Sequence, residues 1–150
     1  MTSYYQEKLK EGVEYQDYLI SKLLQFGIII IPYSSKKYQI NKGESLTMHE
    51  IKFDNKMNET GNIYIELYEK SDPGNSTWIN SGVLRNDNTI FFIIGNYEKA
   101  FLFHKKILKI LVKSNKYRKV ETPTSQGVLI PIDKAIKYST YINFKENTIQ

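Results

Sequence analysis

Apolar residues recur at helical spacing at the start of the chain. Val13, Leu19, Ile20, Leu23, Leu24 and Phe26 predict an amphipathic helix over residues 3–26, with Gly27 as its stop. The wholly apolar, β-branched run IIIIP (28–32) predicts a strand buried on both faces and closed by Pro32. A polar, turn-rich stretch around Gly43 follows. LTMHEIKFD (46–54) predicts a second strand. IYIELYEK (63–70) predicts a third, with Ile63, Ile65 and Leu67 alternating against Tyr64, Glu66 and Tyr68. TIFFIIG (89–95) is apolar enough for a central fourth strand, and AFLFH (100–104) makes a fifth. KKILKILVKS (105–114) predicts a helix that offers Ile107, Leu108, Ile110, Leu111 and Val112 to the core. Residues 115–127 read as irregular. VLIPI predicts a short strand and DKAIKYSTYI (133–142) a final helix, with Asp133 near its start. No repeat or linker divides the pattern. It predicts one domain over residues 1–150, α/β or α+β, with a mixed central sheet flanked by helices.

Composition narrows this picture. With 150 residues, 41% hydrophobic and 25% charged, the chain is long enough for a sizeable core. It contains no cysteine, which excludes disulfides, thiolate nucleophiles and cysteine zinc sites. No signal peptide is visible at the N-terminus, and the longest apolar run is too short to span a bilayer. The expectation is a cytoplasmic protein with no membrane partner. Net charge is +5, but it is segregated. Residues 99–119 carry eight lysines and arginines and no acid, leaving −3 on the rest of the chain.

The candidate chemistry begins in the second strand. Residues i and i+2 of a strand share a face, about 7 Å apart. Glu50 and Lys52 therefore project together, while Ile51 and Phe53 enter the core. A similar triplet, Asp54-Asn55-Lys56, lies in a polar turn with no strand to fix it. Six residues before Glu50, the turn at Gly43 can bring Glu44 beside it. Two carboxylates meeting at one point need a cation between them, and oxygen-only ligands suit Mg²⁺ or Mn²⁺. Glu14 on the first helix offers a third acid. Lys105, Lys109 and Lys113 recur every four residues, a stripe suited to phosphate contacts. His49 points away from Glu50, His104 ends a strand, and Ser81 has no base near it in sequence, so none of these predicts catalysis.

The ordered set GVEYQDYLISKLLQFGIIII, GES, HEIKFD, TGNIYIE and SGVLRNDNTIFFIIG, over residues 10–112, resembles the PD-(D/E)XK nuclease superfamily, in phage and restriction-type members. The resemblance implies a restriction-endonuclease-like core. It matches Glu14 to the family's helix acid, Glu44 to its first strand acid, and Glu50 and Lys52 to its (D/E)-x-K pair. The first strand acid of the family is usually Asp, so Glu44 is a departure, with Asp54 and Glu66 as substitutes. The implied activity is Mg²⁺- or Mn²⁺-dependent hydrolysis of DNA phosphodiesters, with Glu44 and Glu50 as metal ligands. The implied partners are DNA and a second copy or partner subunit, since cutting both strands needs two sites. The alternative expectation is a nuclease-fold protein that binds nucleic acid, or serves as an interaction module, without cutting.

Overall fold

The computed structural model describes residues 3–150. Helix α1 (Tyr4–Leu24) starts at a capping box. Ser3 Oγ accepts from the Gln6 N–H, and the Gln6 side chain accepts from the Ser3 N–H. Its buried face is Tyr15, Leu19 and Leu23, spaced by four residues. Gly27, at φ 77°, turns the chain out of the helix, and the Ile28 N–H returns to the Leu23 carbonyl.

Residues 28–32 depart from expectation. They are extended but join no sheet, and a bridge from Pro32 to Ser45 is their ladder contact. Ile30 is buried, whereas Ile29 is 62% and Ile31 48% exposed. Four isoleucines fix an extended backbone, but an extended chain lying on one surface buries only alternate side chains. The turn-rich stretch beyond contains a short helix, α2 (Lys36–Asn41), capped by Ser35.

The remaining elements form two sheets. They are β1 (His49–Phe53), α3 (Met57–Thr60), β2 (Asn62–Glu69), β3 (Ile79–Asn80), a 3₁₀ turn at Gly82–Leu84, β4 (Phe91–Gly95), β5 (Lys99–His104) and α4 (Lys105–Lys113). Then follow β6 (Arg118–Glu121), β7 (Ser125–Pro131), α5 (Ile132–Tyr138), β8 (Thr140–Asn143) and β9 (Thr148–Ile149). The five-stranded sheet runs β1-β4-β5-β8-β9, and the four-stranded sheet runs β3-β2-β7-β6. In the larger sheet β1 pairs with β4 in parallel, while β4–β5, β5–β8 and β8–β9 are antiparallel, so the sheet is mixed. Residues 115–127, expected to be irregular, include β6, which pairs with β7. The final helix stops at Tyr138, because Thr140–Asn143 is recruited as a strand beside β5.

Strand alternation sets the layers. Phe92 and Ile94 of β4 face the four-stranded sheet, and Ile93 faces α1. The core between the sheets adds Phe101, Phe103, Ile63, Ile65, Val128 and Ile130, and α4 closes it with Leu108, Leu111 and Val112. Ile107 and Ile110, expected in that core, are 37% and 63% exposed. The core under α1 holds Tyr15, Leu19, Leu23, Ile30, Ala100 and Ile142, with Ile51 and Phe53 packed against it. The chain is thus a mixed α/β fold with a mixed sheet and flanking helices. Among the described residues, no helix is long and apolar enough to cross a membrane.

The one-sided burial of residues 28–32 has a measurable consequence. Ile30→Ala should cost about 2–4 kcal/mol in urea unfolding, and Ile29→Ala less than about 0.5 kcal/mol.

Candidate active site

Glu50 and Lys52 are presented by β1, the edge strand of the larger sheet. Its parallel register sets Glu50 beside Phe92 and Lys52 beside Ile94, so both charges share the face turned toward the second sheet. The strand begins at a pinned turn. Ser45, 2% exposed, accepts from the His49 N–H and donates to the His49 carbonyl, both at 2.8 Å. Asn88 fixes the other end, donating its side-chain amide to the Ser45 carbonyl and its main-chain N–H to the Lys42 carbonyl. Gly43 sits against this asparagine at φ 145°; a Cβ there would lie 1.8 Å from Asn88 Oδ1. Glu44 and Glu50 thus flank one turn in a continuous stretch of chain.

Lys52 Nζ lies 2.9 Å from Glu50 Oε1. The Glu50 side chain is 4% exposed, the Lys52 side chain 45%. Glu50 Oε2 is buried and finds no hydrogen-bond partner among the described residues. Such an atom is costly to bury unless something meets it. The Lys52 ammonium is held above the ordinary lysine value, chiefly by the charge of Glu50. Burial opposes this shift, while the charges of Glu66 and Glu44 add to it. The pair opens onto a groove of about 390 Å³, lined also by Glu44, Ser81, Gly82 and Arg85.

Arg85 organises one wall. Its guanidinium contacts Glu44 Oε1 at 3.2 Å and donates to the Gln39 and Ile40 carbonyls near the end of α2. Its Nε lies 3.5 Å from buried Asp87, which faces Lys105 Nζ at the same distance. Lys105 also donates to the Arg85 carbonyl at 2.7 Å and is only 11% exposed. Lys105 therefore leaves the predicted phosphate-binding stripe and serves inside the fold. Lys109 is half-buried, and Lys113 remains exposed.

Glu66 lies outside this groove, in the lining of an adjoining cavity that shares Lys52 and Gly82 with it. It accepts from Ser81 Oγ at 2.6 Å and from Ser125 Oγ at 2.7 Å. The proton on Ser125 is committed to Glu66, so Tyr64 donates its hydroxyl to Ser125. Gly82, at φ 48°, packs its bare backbone on this strand; a Cβ would lie 2.3 Å from the Glu66 carbonyl oxygen. Asp54 is spent on the main chain, accepting from the Tyr64 and Lys56 N–H groups.

Of the predicted acids, Glu50 and Glu44 line the groove, and the charge of the substitute Glu66 reaches Lys52. Glu14 stays apart. Its exposed carboxylate sits 3.9 Å from Lys10, on a helix that packs against the opposite sheet face. His49 lies on the far face of its strand, stacked on Phe91, and burial lowers its pKa. Arg85, Ser125 and Tyr64 were not singled out from the sequence. Their signal is weak, since each acts through partners distant along the chain.

Among the described residues, no group of three or more His, Asp or Glu side chains is arranged to hold a metal ion. The donors present fit a looser arrangement. Mg²⁺ commonly takes one or two carboxylates and completes its shell with water and substrate phosphate. The orphaned Glu50 Oε2 and the nearby Glu44 supply such carboxylates. No protein-family model matches the chain, and neither a curated protein nor a solved structure gives a significant match.

The ion pair predicts a pH dependence. Because the folded protein holds Lys52 above 10.5, its contribution is complete below that value and is lost as pH rises through the higher folded one. Lys52→Met should cost about 1–3 kcal/mol, less than a fully buried pair because solvent reaches the amine. Urea unfolding should give a steady difference from about pH 6 to 9 that shrinks in stronger alkali.

Proposed function

We propose that the chain is a metal-dependent deoxyribonuclease of the PD-(D/E)XK type, with β1 as its catalytic strand and a restriction-endonuclease-like core. One observation carries the reading: Glu50 is buried beside Lys52 with an oxygen that finds no partner among the described residues. A carboxylate so placed is poised for a cation, and the neighbouring ammonium for an anion. A phosphodiester held by Mg²⁺ or Mn²⁺ presents both.

Glu44 and Glu50 would hold the metal ion, which when bound polarises a phosphate oxygen and acidifies a bound water. Lys52 stays protonated at neutral pH, so it cannot be the general base. It donates to the phosphate and to the attacking water, and offsets negative charge as the phosphorus gains its fifth oxygen. Arg85 orients Glu44. The hydroxyls of Ser81 and Ser125 keep the Glu66 carboxylate in place, adding to the field that holds the Lys52 proton. Lys109 and Lys113 contact the DNA backbone beyond the groove, giving salt-dependent, sequence-independent affinity. Double-strand cutting would use a second copy or a partner subunit.

A second reading, nucleic-acid binding without cleavage, draws on the commitment of Glu44 to Arg85 and on there being, among the described residues, no three acids arranged to hold a metal ion. Cleavage of plasmid and single-stranded DNA with Mg²⁺ or Mn²⁺ separates the two. On the leading reading, Glu50→Gln and Lys52→Ala each lower the rate by about 100-fold or more. DNA bound but left intact by the wild type selects the second reading. Equal rates in all three proteins would sink the mechanism.

The lysines divide by role. Replacing Lys109 and Lys113 together with Ala should weaken DNA binding and reduce the slope of log K against log salt by about 2. Lys105→Ala should instead lower the thermal midpoint and leave that slope unchanged, because its amine is bound within the fold.

A further inference from the structure

A second cavity, of about 350 Å³, adjoins the carboxylate groove. Lys52 and Gly82 line both. Its floor is the core between the sheets, where Phe92, Ile94 and Leu108 come to the surface of the void. Its polar lining includes exposed Asn55 and Thr122, together with Asp54 and Glu66, whose carboxylates accept hydrogen bonds within the fold. Tyr64 forms part of the wall, its ring lying close against bare Gly127. The volume falls in the range that holds a small ligand. The register of β1 on β4 places this cavity on the same sheet face as Glu50 and Lys52.

We propose that this cavity receives one unpaired nucleobase whose own phosphate lies at Lys52. The ligand must combine an apolar, flat body with a polar edge and an adjoining anion. A nucleotide has all three. Its ring enters between Phe92, Leu108 and Tyr64, and its edge meets the Asn55 amide, which can both donate and accept. Its phosphate reaches the ammonium shared with the carboxylate groove. Lys52 and Gly82 are the residues the two compartments share. A duplex cannot enter, so the base must be unstacked or single-stranded. The proposal rests on the nuclease reading for the source of the nucleotide, a DNA strand; a free mononucleotide shares the chemistry.

The test measures binding by the full chain, without divalent ions, of three probes. They are a thymidine tetranucleotide, the same backbone with every base removed, and thymidine 5′-monophosphate. Plasmid cleavage with Mg²⁺ is assayed in parallel. A base stacked in a pocket contributes about 1–3 kcal/mol, so the tetranucleotide should bind roughly tenfold or more tightly than the abasic backbone. Val120→Trp, which fills the cavity from β6, should bring that ratio close to one. Thr122→Trp, at the exposed mouth, does the same if the first variant melts early. A wild-type ratio near one with cleavage intact overturns the pocket and leaves the nuclease reading standing. Monophosphate binding abolished by the fillers, without cleavage, supports the pocket and removes the nuclease. No measurable binding of the tetranucleotide or the monophosphate overturns the proposal.

Discussion

Glu50 carries a carboxylate into the space between two sheets, with the Lys52 ammonium beside it. The neighbouring architecture bears on that placement. β1 can hold a carboxylate inward because its other face, Ile51 and Phe53, is anchored under α1. The parallel pairing with β4 fixes register, and a slip of one residue would put the acid against the apolar face of α1 instead. Lys52 then offsets the charge from the rim, where water still reaches its amine.

The charges around this pair are tied into the fold by partners of their own. Arg85 ties the turn bearing Glu44 to α2, and through Asp87 to Lys105 at the start of α4. Glu66 is held between hydroxyls from the turn at Ser81 and from β7. The groove thus takes its lining from both sheets, and Arg85 links it to two helices. Their relative positions depend on the whole core being formed, and the site has no independent scaffold of its own.

The sequence disclosed what is local. The Glu50–Lys52 face follows from strand alternation and the helix stop from Gly27; of the five α4 residues offered to the core, Leu108, Leu111 and Val112 enter it, while Ile107 and Ile110 do not. It misled where a local pattern has more than one tertiary answer. IIIIP reads equally well as a doubly buried strand and as an extended cover with alternate side chains outward. Thr140–Asn143 continues a helical pattern but is captured by the free edge of β5. Lys105 fits a four-residue stripe with Lys109 and Lys113, and the Arg85 carbonyl and Asp87, distant along the chain, turn it inward. Distance in sequence is what hid Arg85, Ser125 and Tyr64 as well.

The edge position of β1 has one more consequence. An outer strand leaves alternate main-chain N–H and C=O groups without ladder partners, and another chain can add to it as a further strand. A charge turned inward on such a strand is a common obstacle to that growth. An inward charge at Lys52 works against such growth at this edge. The residue proposed to act on phosphate would be one that keeps copies of the chain from stacking edge to edge, which ties solubility and chemistry to the same amine.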